Sequence, residues 1–87
     1  MDRKKIIEEL KTISDIIYKG DTYTGIANMQ FVIQDIAVIA GEINEDDRNH
    51  LLENILKPAL EAMEEKDGIM LADILSYELI PFLEEGE

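Results

Sequence analysis

The chain has 87 residues, 46% of them hydrophobic and 32% charged, which is the composition of one folded domain. Twenty acidic and eight basic side chains give a net charge of −12. This charge argues against binding to nucleic acid or to an anionic membrane surface, because both need a basic face. The chain has no cysteine, which excludes disulfides, thiolate catalysis and zinc sites built on cysteine. No apolar run is long enough to span a bilayer, and we expect a soluble protein of the cytoplasm.

The first element is an amphipathic helix, predicted over residues 2–19 from apolar residues that recur at spacings of three and four. Its inward stripe consists of Ile6, Leu10, Ile13 and Ile17. Gly20 follows, and glycine accepts the left-handed conformation that often ends a helix. Asp21 or Thr22 can then cap the next helix by accepting hydrogen bonds from its free backbone N–H groups.

The second predicted helix, residues 22–41, is apolar on nearly every face. Its main stripe contains Ile26, Met29, Ile33, Ile36 and Ala40. Further apolar residues widen this stripe until only narrow polar seams are left. A helix of this kind is normally surrounded on most sides. We therefore expect it to be the central helix of the fold or to be buried in a dimer.

The third and fourth predicted helices, residues 45–66 and 68–84, each contain a proline. Asn44 is the expected N-cap of the third helix, whose inward stripe is Leu52, Leu56, Ala59 and Met63. Because this spacing keeps its phase through Pro58, we expect a kink there and one continuous helix. In the fourth helix, Asp67 is the expected cap and Pro81 removes a hydrogen bond near the end. Its inward stripe is Ala72, Leu75, Leu79 and Phe82 or Leu83.

These four segments predict the fold class. Strand signals are nearly absent, and the connections of two to five residues favour antiparallel neighbours. We expect an all-α single domain over residues 1–87, an antiparallel four-helix bundle made of two helical hairpins, either alone or paired into a dimer.

Candidate metal and catalytic groups are few. Asp47 and His50 have the i, i+3 spacing that can place two ligands on one metal, but a di-metal bundle needs that motif twice with further glutamates. Asp35, within the most apolar helix, is the best candidate for a carboxyl group with a perturbed pKa. The glycine-rich phosphate motifs GxGxxG and GxxxxGK(S/T), the zinc motif HExxH and the calcium-loop pattern DxDxDG do not occur. We expect no enzymatic activity, no metal and no cofactor, and keep a metal-binding or enzymatic bundle around these three residues as an alternative.

Charge is distributed unevenly along the chain. Residues 1–19 carry a net charge of +1, and residues 20–87 carry −13. Such a field can steer a basic partner or imitate the phosphates of DNA. An acidic decoy or inhibitor of a nucleic-acid-binding protein is therefore the other alternative, although many of the acids lie in first helical turns, where capping explains them.

The fourth helix carries the candidate binding surface. Asp73, Tyr77, Ile80 and Glu84 recur at 4-3-4 spacing on one face, and a tyrosine beside an isoleucine with an acidic rim has the composition of a small binding patch. Together with Glu78 and Pro81, these residues are the predicted partner-facing group.

The same stretch carries a family resemblance. Residues 66–85, KDGIMLADILSYELIPFLEE, resemble the closing helix of a family of small, uncharacterised helical proteins of bacteria, mostly Firmicutes. The shared tail pattern reads LADxLxYELxPxLE. The resemblance implies an all-helical, non-enzymatic bacterial protein linked to motility or cell-surface functions, and it brings no catalytic residue with it.

The sequence therefore predicts that the chain is a non-catalytic protein-interaction module, either a small acidic adaptor or a chaperone-like bundle. Its expected partner is another protein or a second copy of itself in a homodimer, with no nucleic acid and no membrane.

Overall fold

Four helices account for nearly all of residues 2–85, the part of the chain that the computed structural model describes. Helix α1 is Arg3–Tyr18 and α2 is Thr22–Glu42. Helix α3 comprises residues 45–65 and α4 residues 68–85, each continuous but containing a wider turn. No strand occurs within residues 2–85. The predicted all-α helical bundle is confirmed, and each helix end lies within one residue of the range expected from the sequence.

Each helix begins at a side-chain cap. The cap residues are Asp2, Asp21, Asn44 and Asp67. Of the two candidates for the N-cap of α2, Asp21 and Thr22, the structure has Asp21. Its carboxylate accepts a hydrogen bond from the backbone N–H of Thr24 at 3.1 Å. Gly20 has a φ of 105°, as expected at the end of α1. At the α3–α4 turn the left-handed conformation falls on Lys66, with a φ of 58°, and not on the nearby glycine.

Helix α1, and not α2, is the central helix. α1 packs along α2 on one side and along the full length of α4 on the other, and α3 packs mainly against α4. The expectation that α2 is surrounded within one copy of the chain is wrong, because its outer side leaves Tyr23 81% exposed and Phe31 73% exposed. The short α1–α2 connection brings α2 beside α1, but within residues 2–85 no further helix covers its far side.

Wider helical turns precede both prolines. Residues Leu51–Leu56 of α3 and Leu75–Leu79 of α4 form π-helical segments, which lie beside each other in the second hairpin. In each segment the residue before the proline donates its N–H five residues back: Lys57 to the carbonyl of Leu52, and Ile80 to that of Leu75. A π turn accommodates a residue that has no N–H and whose ring would clash with the carbonyl four residues back. Both helices continue through their prolines in this way.

The π turns change which residues face the core. Leu52, expected on the inward stripe of α3, is 42% exposed, and Leu51 is fully buried in its place. The extra residue in the turn rotates the residues before it relative to those after it, so one regular spacing cannot cover both sides of Pro58. The stripe of α1 is buried as predicted, and Leu75, Leu79 and Leu83 are fully buried in α4. Among the described helices, none combines the length and apolar character needed to cross a membrane.

Candidate functional site

Five of the six predicted partner-facing residues of α4 lie on the surface, and one is buried. Asp73, Tyr77, Glu78, Pro81 and Glu84 are exposed. Ile80 is only 6% exposed and belongs to the hydrophobic core. Its assignment to the binding surface is wrong because the π turn at Leu75–Leu79 shifts the helical phase between residues 77 and 80. A spacing of three residues therefore no longer keeps both side chains on one face.

Three of the predicted residues form a surface with two apolar neighbours that the sequence analysis missed. Ile69 is 60% exposed and Met70 is 41% exposed, and both lie in the first turn of α4 beside a shallow depression. Tyr77, at 75% exposure, lies at the same depression. We call this surface the α4 patch; its residues are Asp67, Ile69, Met70, Asp73, Tyr77 and Glu78. The available signal was that Ile69 and Met70 are apolar residues off the inward stripe.

Helix α1 holds the acidic side of the α4 patch in place. The hydroxyl of Tyr18 donates a hydrogen bond to Oδ1 of Asp73 at 2.5 Å. This bond raises the pKa of the Tyr18 phenol above its ordinary value, with a further contribution from desolvation. Because an ionised phenol could no longer donate, the contact depends on a neutral Tyr18. The position of Asp73 is thus fixed from a neighbouring helix as well as by its own.

The first turn of α4 is fixed by its cap. The carboxylate of Asp67 accepts from the backbone N–H of Met70 at 3.1 Å. Gly68 packs closely against Thr22, the first residue of α2, and a Cβ at this position would collide with the threonine side chain. The apolar half of the α4 patch is therefore built on an anchored helix end.

Glu84 takes part in a different contact. Its carboxylate lies 3.8 Å from the ammonium group of Lys11 on α1, and both side chains are about half exposed. An ion pair of this kind contributes little to stability. Glu84 is not part of the α4 patch and instead belongs to the seam between α1 and α4.

The structure does not bring the groups proposed for metal or catalytic chemistry together within residues 2–85. The side-chain amide of Asn44, the N-cap of α3, donates a hydrogen bond to the carboxylate of Asp47 at 3.0 Å. The Nδ1 atom of His50 lies 2.9 Å from the amide nitrogen of Asn54. Asp35 is half-buried on α2. Within residues 2–85, no three His, Cys, Asp or Glu side chains lie close enough together to share a metal ion.

Two serines lie in the groove between α1 and α4. Ser14 and Ser76 line it together with Tyr18. Ser14 is 4% exposed, and its hydroxyl has no hydrogen-bond partner among the described residues. Neither serine has the adjacent histidine that would activate it as a nucleophile.

A comparison with protein-family models places the chain in a family. A family model described as a domain of unknown function, DUF8042, matches residues 4–86. The chain belongs to the DUF8042 family. Comparisons with curated proteins and with solved structures gave no match. The DUF8042 match covers all four helices, so the helical bundle described here is the family's domain. Its description supports the resemblance to an uncharacterised family, while the bacterial origin and the tail pattern stay predictions.

Proposed function

We propose that this chain is a non-catalytic protein-interaction module that binds another protein through the α4 patch. The observation that carries the proposal is the exposure of Tyr77 and Ile69 beside Met70, with three carboxylates around them. Aromatic side chains that lose their water on binding supply much of the energy of protein interfaces. Removing apolar surface from water contributes about 25 cal/mol per Å² before the entropic costs of association are subtracted.

The chemistry of the patch favours a basic partner. Asp67, Asp73 and Glu78 surround the apolar centre, and the chain as a whole carries −12. A partner with lysine or arginine side chains next to one or two apolar residues fits such a surface. The acidic field would speed its approach, because opposite charges steer association. We infer that the partner presents a basic amphipathic segment of another protein.

The anchoring of the patch supports binding without a large ordering cost. The Asp67 cap and the hydrogen bond from Tyr18 to Asp73 both fix side chains of the patch before any partner arrives. A preorganised surface loses less conformational entropy on binding than a mobile one. The cytoplasmic location and the adaptor or chaperone-like role are expectations from the sequence that belong to this proposal, and the link to motility or cell-surface functions is what the family resemblance implies.

The second candidate function is an acidic decoy for a nucleic-acid-binding protein. The observation that favours it is the net charge of −13 over residues 20–87. In this case binding would rest on charge alone and would weaken steeply as salt rises. The α4 patch would then have no special part in binding.

Affinity capture from the source cell's lysate, with mass spectrometry of the retained proteins, separates the two candidates. Three baits are compared: the wild-type chain, a patch variant that combines Ile69→Ser with Tyr77→Ser, and a control variant, Leu60→Ser. Leu60 is an exposed apolar residue of α3 that does not line the α4 patch. Each bait is washed at low and at high salt.

We expect one partner to survive the high-salt wash on the wild-type and control baits and to be absent from the patch variant. The same partner on all three baits would contradict a role for the α4 patch. Several basic proteins, lost from all baits at high salt, would favour the decoy.

A further inference from the structure

Helix α2 exposes a long face without a charged side chain. Over its 21 residues, α2 contains only two charged residues, Asp35 and Glu42. Neither lies in the middle of the outer side, because Asp35 is half-buried at one edge of it and Glu42 is the last residue of the helix. We call the outer surface the α2 face; its residues are Tyr23, Ala27, Gln30, Phe31, Gln34, Ala37, Val38 and Gly41. Tyr23, Phe31 and Val38 are the largest exposed apolar side chains of this face.

Charge identifies what can cover this face. The other three helices carry most of the acidic side chains, seven of them on α3 alone. A basic partner would be drawn to those surfaces and gains nothing electrostatically from α2. Two copies of this chain, each carrying −12, repel one another, and the repulsion is weakest when they meet where neither is charged. The α2 face is that surface, and a second copy is the occupant that its neutrality favours.

The residues of the α2 face are also complementary to themselves. We propose that two copies associate through α2 in an antiparallel pair, related by a two-fold axis at the level of residue 32. Such an axis brings together residues whose numbers add up to 64. Tyr23 then meets Gly41 of the second copy, Ala27 meets Ala37, and Gln30 meets Gln34. This proposal does not rest on the function proposed for the α4 patch.

Each of these pairs is chemically reasonable. A Cβ built on Gly41 has no atom within 4 Å, so the open space above this residue can receive the tyrosine ring. The two alanines let the helices approach closely. The two glutamine amides can donate to and accept from each other in the middle of the interface. The antiparallel arrangement also brings the positive end of each helix dipole next to the negative end of the other.

A parallel pair would lack this complementarity. Tyr23 would meet Tyr23, Gly41 would meet Gly41, and the interface would be crowded at one end and empty at the other. The two Glu42 carboxylates would also lie near each other at the same end, where like charges oppose association. Size and charge thus both favour the antiparallel pair.

Charge substitutions in the middle of the face test the association. All variants are compared by sedimentation equilibrium, with far-UV circular dichroism to show that they remain helical. Wild type is expected at twice the chain mass of 9.9 kDa. Gln30→Glu with Gln34→Glu gathers four carboxylates at the centre and should raise the dissociation constant by roughly 100-fold or more, because like charges oppose each other at an interface.

Two further variants separate register from net charge. Gln30→Glu with Gln34→Lys pairs opposite charges across the antiparallel interface and should keep the dimer. Asn49→Glu with Lys57→Gln changes the net charge of the chain by the same two units on α3 and should also keep it. A wild-type chain that stays monomeric at high micromolar concentration would overturn the proposal, as would a dimer unaffected by the two glutamates.

Cysteine cross-linking tests the direction of the pair, since the natural chain has no cysteine. Tyr23→Cys and Gly41→Cys chains are mixed and oxidised. The antiparallel pair predicts mixed disulfides between the two variants. It predicts little cross-linking of Tyr23→Cys alone, because the two copies of residue 23 would be about 27 Å apart along the helix axis at 1.5 Å per residue. Preferential linking of identical variants would contradict the antiparallel pair.

Discussion

The contact between α1 and α2 is close enough that a single methyl group should weaken it. Gly25 is buried in α2 opposite Ile17 of α1, which is 2% exposed. A Cβ built on Gly25 would lie closer to two carbon atoms of the Ile17 side chain than van der Waals radii permit. We therefore expect Gly25→Ala to force Ile17 from its preferred rotamer or to push the two helices apart.

Two opposing effects set the size of the change. Alanine is favoured over glycine within a helix by up to about 1 kcal/mol. Overpacking a well-packed core costs about 1–3 kcal/mol. Because the methyl group collides with two atoms and not one, we expect the overpacking to exceed the helix preference. The free energy of unfolding should fall by about 1–2 kcal/mol.

Urea unfolding, followed by circular dichroism, measures this change, and two further variants give its cause. Gly41→Ala is the matched control, since it lies in the same helix with nothing near its Cβ; it should stabilise by a few tenths to about 1 kcal/mol. Ile17→Ala alone should cost about 2–5 kcal/mol. Combined with Gly25→Ala it should cost at least about 1 kcal/mol less than the two single variants predict, since residues in contact couple.

The series is measured in the Gln30→Glu, Gln34→Glu chain, so that association through α2 does not contribute. If Gly25→Ala stabilises as much as Gly41→Ala, the close contact between the helices does not exist as described. If the double variant is additive within about 0.5 kcal/mol, the cost arises somewhere other than at Ile17.

Three further perturbations follow from individual contacts. Tyr18→Phe removes the hydrogen bond to Asp73. Because folding raises the Tyr18 pKa, the stability that this bond gives the wild type should be lost as pH rises above about 10. The free energy of unfolding of the variant, measured with urea, should therefore fall less steeply at alkaline pH. The hydroxyl and N–H of Thr24 lower the Asp21 pKa. The stability that the Asp21 carboxylate contributes is therefore present above its ordinary pKa near 4 and is lost on acidification. Asp21→Asn should keep the cap, and its free energy of unfolding should depend less on pH in the acid range. Arg48 donates to carbonyls at the C-terminal end of α2 at 2.8 and 3.0 Å, and Arg48→Met should cost about 1–3 kcal/mol in the same assay.

Much of the fold follows from the sequence because its causes are local. The spacing of Ile6, Leu10 and Ile13 requires an amphipathic helix, and acids or asparagine at the helix starts supply the caps. The position of α2 could not be predicted in this way. Its apolar pattern is the same whether its outer side meets another helix of the same chain or a second chain. Only the packing order shows that none of the helices described over residues 2–85 covers it.

The candidate site was predictable in part for a related reason. Asp73, Tyr77 and Glu78 lie on the α4 patch as a regular helix would place them, whereas Ile80 lies beyond a π turn that no spacing rule anticipates. Pro81 is visible in the sequence, but proline can end a helix, kink it or be accommodated by a wider turn. The spacing of apolar residues does not distinguish these outcomes. In the structure both helices accommodate their proline with a π segment, and the two segments lie side by side.

The two proposed interfaces differ in the physical property that selects their partners, and this makes them compatible. The α4 patch combines apolar groups with carboxylates, and the proposed binding there would favour basic proteins over a second copy that carries the same −12 charge. The α2 face has no charged side chain, so it offers no electrostatic advantage to a basic protein and lets two copies meet without acids directly opposite each other. Salt should therefore act on them in opposite directions. Added salt screens the repulsion between copies and strengthens a pair formed through α2, and it weakens the attraction of a basic partner to α4.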